Sequence, residues 1–270
     1  MSIEGAPATR SGASAEPSND IAGRLRAAGC VFAEDEARLL IAAAGSPDEL
    51  DRLVAERVAG RPLEQLLGWA EFCRLRVAVE PGVFVPRRRT ELLARLAAEL
   101  AGPGSVVVEL CCGTAAISMA LAAAVPGLQL YALELDPAAV RCAQRNLTGT
   151  NAQILHGDLY KPLPLAVRGR VDVLVANAPY VPTEAIPMMP PEARDHEPRL
   201  ALDGGPDGLD VQRRIIAEAP EWLSAQGTLL IETGRVQAPV TAAAMESVGL
   251  ATRIETDDDL DATVVIGRPA

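Results

Sequence analysis

The stretch Val106-Val107-Val108-Glu109-Leu110-Cys111-Cys112-Gly113-Thr114-Ala115-Ala116 decides the fold. From Ser105 to Leu110 it is an apolar run, the pattern of a strand buried on both faces. The residues that follow are small and open an alanine-rich helix, expected over Ala115–Ala124. At such a strand-to-helix turn backbone N–H groups are free, and small side chains let a ligand approach. Only Gly113 of a G-x-G-x-x-G pattern is glycine, so a nicotinamide dinucleotide fingerprint is not met. Taken alone, the segment reads equally well as an ordinary tight turn.

Downstream, strand and helix patterns alternate. Strands are expected at Leu128–Leu133, Gln153–Leu155, Val171–Ala176 and Thr228–Glu232. Helices are expected at Pro137–Asn146, Asp210–Leu223 and Ala238–Val248. This βαβ rhythm with continuous apolar strands predicts an α/β fold with a mostly parallel, doubly wound sheet. Ala251–Glu255 and Thr263–Ile266, joined through Asp257-Asp258-Asp259, are expected to pair antiparallel at one edge.

Upstream, apolar residues recur at helical spacing from Asn19 to Gly60, with Asp20 as an expected cap of the first helix. Leu75–Val79 reads as a strand, Val83-Phe84-Val85 as a second short one, and Thr90–Leu100 as a helix capped by Thr90. Residues 1–18, rich in Ser, Ala, Gly and Pro, are expected to be a disordered tail. The domain reading is therefore a tail at 1–18, a helical region at 19–75 and a sheet domain at 76–270.

The 270 residues carry a net charge of −11, and Lys161 is the single lysine. Direct nucleic-acid binding is not expected of such a chain, because neutralising phosphates needs a basic surface. No apolar run reaches the length of a membrane span. Cys30, Cys73, Cys111, Cys112 and Cys142 form no C-x-x-C pair and there are two histidines, so no metal site is expected. An odd, scattered cysteine set fits a reducing cytoplasm.

Four features carry chemistry. Glu109 to Ala115 make the turn quoted above. Glu134, at the end of the second strand, stands where doubly wound folds place an acidic acceptor for ribose hydroxyls. Gly157-Asp158-Leu159 follows the third strand, where a carboxylate can meet an adenine edge. Each is unremarkable alone, as a tight turn, a solvated glutamate and a Gly-Asp turn. Together, on consecutive strands, they favour a cofactor with a nucleoside. Asn177-Ala178-Pro179-Tyr180 follows the fourth strand directly. Asn177 offers a side-chain acceptor, Ala178 a backbone carbonyl, Pro179 a stiff backbone and Tyr180 a flat wall. Two acceptors and a wall suit a planar –NH2 group.

These motifs resemble the HemK/PrmC family of S-adenosylmethionine-dependent protein-(glutamine-N5) methyltransferases. The family's N-P-P-Y is matched by Asn177-Ala178-Pro179-Tyr180, and its D-L-G-x-G-S-G by Glu109 to Ala115. P-R-P-E-T-E is matched by Pro86 to Glu91. Glu197-Pro198, Ala201-Leu202, Gly204-Gly205 and Asp207-Gly208-Leu209 follow a further family motif, as do Gly227, Glu232, Gly234 and Gln237. The resemblance runs from about Gly60 to the end and marks a divergent member. Cys111 and Ala115 stand for glycines, Ala178 for a proline, and Arg88 and Arg89 for Pro and Glu.

The resemblance implies a class I, Rossmann-like methyltransferase fold with a small N-terminal helical domain for substrate recognition. It implies S-adenosyl-L-methionine as cofactor, with S-adenosyl-L-homocysteine as product. Glu109, Cys111, Cys112, Gly113, Thr114, Ala115, Glu134, Asp158, Leu159 and Asn177 would bind it. Asn177, Ala178, Pro179 and Tyr180 would position the glutamine amide of a protein substrate, such as a translation release factor. Two other readings stay open. One is methylation of an exocyclic amine on a nucleobase, another planar –NH2 group. The other is a methyltransferase fold that has lost activity and serves only to bind.

Overall fold

The computed structural model describes residues 15–270, which form two units meeting between Leu67 and Gly68. The first unit is helical: α1 (Ala15–Ala27), α2 (Ala33–Ala43), α3 (Pro47–Val58) and the short α4 (Leu63–Leu67). Ile21 and Leu25 on α1, Ala33, Ala37 and Leu40 on α2, and Leu50, Leu53 and Val54 on α3 fall at helical spacing within each helix and make the core of the unit. Ser46 caps α3, its Oγ accepting from Glu49 N at 3.2 Å, and Pro47 takes the first helical position. Beneath this core Arg57 meets Glu36 in a buried two-pronged ion pair, Nε–Oε2 2.6 Å and Nη2–Oε1 3.2 Å. The expected tail lies outside the described residues up to residue 14. Ala15 to Ser18 are already helical, so Asp20 is inside α1 and does not cap it.

The second unit opens with an antiparallel hairpin, β1 (Trp69–Phe72) and β2 (Leu75–Ala78). Phe72 and Val77 are buried in the core of the sheet unit, so the boundary lies after Leu67 and not at residue 75. Val83–Val85 is not a strand. Val85 N donates to the Glu197 carboxylate instead of to a ladder, and Pro86 has no N–H to give.

The chain continues through α5 (Glu91–Leu100), β3 (Val106–Leu110), α6 (Ala116–Ala124), β4 (Gln129–Glu134), α7 (Pro137–Asn146), β5 (Gln153–His156) and β6 (Val171–Ala176). Short helices α8 (Pro191–His196) and α9 (Arg199–Leu202) precede α10 (Asp210–Trp222), β7 (Leu223–Glu232), α11 (Ala238–Ser247), β8 (Leu250–Asp257) and β9 (Ala262–Pro269). The seven strands are ordered β5-β4-β3-β6-β7-β9-β8. The first five are parallel, and β9 and β8 close the edge antiparallel, as the sequence predicts.

β3 is buried along its whole length. Val106, Val108 and Leu110 face the layer of α10 and α11, while Val107 faces α5 and α6. The strand order reverses beside β3, between β4 and β6. That is where this architecture opens a crevice beyond the carboxyl ends of its strands.

Candidate active site

A cleft of about 190 Å³ lies at that crevice, lined by the ends of β3, β4 and β6 and by the loops that follow them. It brings together the residues singled out from the sequence except Ala115: Glu109, Cys111 to Thr114, Glu134, Asp158, Leu159 and Asn177 to Tyr180 line it. Ala115 is fully buried behind it, at the start of α6.

Glu134 is oriented by three backbone donors: Gly113 N at 2.8 Å on Oε2, and Leu135 N at 2.7 Å and Asp136 N at 2.9 Å on Oε1. A carboxylate offers about four acceptor sites, so capacity remains for a hydroxyl from the cleft. Gly113 has φ 55°, and a Cβ there would project into open space. Glu109 points beneath the turn, accepting from Ser118 N at 2.8 Å and from the Ser118 hydroxyl. Burial pushes its carboxyl up to about 8, against the Ser118 bonds. It therefore anchors the start of α6 instead of standing free in the cleft. Asp158, at the rim, is bound by Lys161 and Arg214, each at 2.8 Å. Those hydrogen bonds hold its carboxyl below the usual range, and only its remaining lone pairs are left for an adenine edge.

The acceptor side is built around Asn177. Its Nδ2 donates to Thr90 Oγ1 at 3.1 Å, and the Thr90 side chain lies beside Glu232 and helps hold its carboxyl down against burial. In that bond the Thr90 hydroxyl oxygen is the acceptor and the Asn177 amide nitrogen the donor. This fixes the amide with its nitrogen on Thr90 and leaves Oδ1 as the end to present. Thr90 is the last residue of a short 3₁₀ turn, Arg88–Thr90, and makes no side-chain cap for α5. The expected cap is corrected because the hydroxyl is drawn into the site.

Tyr180 Oη donates to Glu232 Oε1 at 3.5 Å, and the Arg89 guanidinium lies 5.9 Å from the Tyr180 ring centroid. Burial, then the Glu232 charge, pushes the phenol up to about 12, so Tyr180 stays neutral. The loop carrying it is strapped from behind. Gln237 Nε2 donates to Tyr180 O at 3.0 Å and Asp207 O at 2.9 Å, and Val181 pairs with Asp203. A Cβ on Gly204 would lie 2.7 Å from Pro179 O, and one on Gly208 (φ 80°) would strike Tyr180 O. Glu197, fully buried, takes Arg87 Nη2 at 2.6 Å and Val85 N at 3.1 Å, fixing the segment that leads to Thr90.

Comparison with known proteins agrees with this geometry. Residues 74–189 match the model of the methyltransferase small domain. A release factor glutamine methyltransferase of Geobacter sulfurreducens is 37% identical over 82% of this chain and 79% of its own. One from Mycolicibacterium smegmatis is 38% identical over 87% and 83%. The chain belongs to the release factor glutamine methyltransferase family. A 4-amino-L-phenylalanine/4-methylamino-L-phenylalanine methyltransferase of Streptomyces pristinaespiralis is 34% identical over 87% of this chain and 88% of its own. Among solved structures, a 16S rRNA N2 G1207 methyltransferase of T. thermophilus superposes with a TM-score of 0.55 at 20% identity, covering 75% of this chain and 50% of that one. A ribosomal protein L11 methylase of Lactobacillus delbrueckii does so with 0.53 at 14%, covering 72% and 86%. These two report the fold alone.

As a member of this family the protein uses S-adenosylmethionine, and the cleft fits it. It offers an oriented carboxylate at the end of β4, a small-residue turn at the end of β3 and an open approach at Gly113. The departures from the family pattern have structural content. Cys111 and Ala115 both take positive φ, 55° and 59°, the conformation for which glycine is suited. Ala178 is buried. Arg88 is exposed and does not line the cleft, whereas Arg89 does. Sequence reading named Thr90 as a cap and within a motif, and Glu232 within another motif. Neither signals a site locally, since they are 142 residues apart in sequence and meet only in the fold.

Proposed function

We propose that this protein transfers a methyl group to the side-chain amide nitrogen of a glutamine in a protein substrate, a translation release factor. The observation that carries this reading is the orientation of Asn177, whose nitrogen is occupied by Thr90. When bound, S-adenosylmethionine supplies an electrophilic methyl group on a sulfonium. The residues of the chain do the rest by positioning. Glu134 would take the ribose hydroxyls, the turn Cys111 to Thr114 would cradle the methionine end, and Asp158 and Leu159 would face the adenine.

An amide nitrogen is a weak nucleophile, because its lone pair is conjugated with the carbonyl. Asn177 Oδ1 and the Ala178 carbonyl accept its two N–H groups and aim it. Orientation of this kind lowers a barrier by several kcal/mol. As the new bond forms the nitrogen gains positive charge, which the same two acceptors stabilise more in the transition state than before it. Pro179 stiffens this backbone, and Tyr180, neutral, packs on the amide plane. The proton leaves afterwards, so no dedicated base is needed.

The helical unit ending at Leu67 serves to recognise the protein substrate, and a reducing cytoplasm is its place of work. The net charge of −11 argues against a nucleic-acid partner. The test is label transfer from radiolabelled S-adenosylmethionine to purified release factor. The expected result is protease-sensitive label on one glutamine, reduced at least 100-fold by Asn177→Ala. Label on nucleic acid, or label on protein independent of Asn177, overturns the reading.

A further inference from the structure

Arg89 is the one departure from the family pattern that adds a charge to the cleft wall. Its pairing with Glu232 is poorly made. Nε stands 3.5 Å from Glu232 Oε1, beyond the 2.7–2.9 Å of a good charge-assisted bond. Arg89 Nε and Glu232 Oε2 are both buried without a hydrogen-bond partner. The Glu232 side chain is 2% exposed and is already addressed by Thr90 and Tyr180, whereas the Arg89 side chain is 42% exposed. The neighbouring Arg87 is committed to Glu197. The Arg89 guanidinium thus stands over Tyr180, at the wall of the acceptor site, with donors toward the cleft that no strong acceptor takes.

We propose that Arg89 forms a carboxylate-binding subsite beside the methyl-acceptor position, so that preferred acceptors carry a carboxylate within one side chain's length of the –NH2 group. This rests on the functional reading above for where the acceptor lies. A guanidinium binds a carboxylate through two parallel N–H bonds, and Arg89 has only to turn its exposed end from Glu232 to reach one. Two sources offer this chemistry. One is an acidic side chain flanking the target glutamine in a protein. The other is the α-carboxylate of a free amino acid whose side chain ends in –NH2.

The experiment measures binding to the full chain loaded with S-adenosylhomocysteine, and in parallel methyl transfer with S-adenosylmethionine. The probes are glutamine peptides with Glu or Gln beside the target, and 4-amino-L-phenylalanine against its α-amide. For at least one pair, the carboxylate form is expected to bind about tenfold or more tighter than its neutral partner, the range for a hydrogen bond to a charged group. Which pair shows this identifies the source. Arg89→Met should remove the preference by weakening only the carboxylate form, with the affinity for S-adenosylhomocysteine unchanged. Equal binding of charged and neutral forms overturns the proposal, as does an Arg89→Met enzyme that weakens both forms equally. Undetectable binding of every probe overturns it too. If the carboxylate preference is present but no probe is methylated, the subsite stands and the reading of the reaction falls. If a glutamine peptide is methylated without regard to charge, the reaction stands and the subsite falls.

Discussion

Thr90 Oγ1 accepts from Asn177 Nδ2, and that bond decides which end of Asn177 faces the acceptor. Thr90→Val keeps the shape and removes the hydroxyl, which frees the amide to flip. The expected result is a loss of about 10²-fold in kcat, the scale of removing one preorganised polar group, with cofactor affinity unchanged. Thr90→Ser should restore most of it, and steady-state kinetics with calorimetric binding checks both. Cys111 and Ala115 hold β-carbons at positive φ, a conformation costing roughly 1–2 kcal/mol for a residue other than glycine. Glycine at either position should raise unfolding stability by about 1 kcal/mol, less what it adds to unfolded-chain entropy, read as the denaturant midpoint. Glu109, raised to about 8 by burial, holds its proton in the folded state at pH values where the unfolded chain has lost it. Its contribution to stability is therefore full below the unfolded value near 4.3 and is lost as pH rises through about 8. Stability should fall across that window by up to about 1.4 kcal/mol per pH unit, and Glu109→Gln should flatten the slope in chemical denaturation from pH 5 to 8.

Elements on the acceptor side are held by backbone contacts that only glycine permits. Gly208 lies against Tyr180 O, and Gly204 lies against Pro179 O. Gly208→Ala should push the loop off, costing about 1–3 kcal/mol of stability and at least tenfold in kcat/KM, while cofactor binding survives. An unchanged kcat/KM would show that the strap does not position Tyr180. The long helices and the parallel strands were legible because their apolar periods are long and continuous, as in Val171–Ala176 and Pro137–Asn146. β1 was not. Its hairpin turns through Cys73 and Arg74 at φ 49° and 62°, positions at which a glycine or asparagine would have announced the turn. Val83–Val85 has strand composition, but a buried side chain, Glu197, satisfies its backbone.

The molecule has two separate cores. Ile21 to Val54 pack among themselves in the first unit, and the sheet unit has its own layers on both faces of β3. A chain beginning at Gly68 is therefore expected to fold and to bind S-adenosylmethionine, yet to lose methylation of a protein substrate, checked by circular dichroism, calorimetry and label transfer. Loss of fold in that chain would refute the separation of the cores. Within the first unit, Glu36→Ala removes the two-pronged carboxylate partner of the buried Arg57 guanidinium and should cost about 3–5 kcal/mol, read as the denaturant midpoint. By itself the sequence determined the doubly wound sheet and the strand ends that carry Glu109, Glu134, Asp158 and Asn177. The apolar period is local to each segment, and the βαβ alternation runs successive strands parallel, which brings their carboxyl ends to one edge of the sheet. Only the tertiary structure decided which partners those residues meet. Thr90, Glu232 and Arg89 come from segments far apart in the chain, and burial in a shared site, not any pattern of neighbours, sets their protons and pairings.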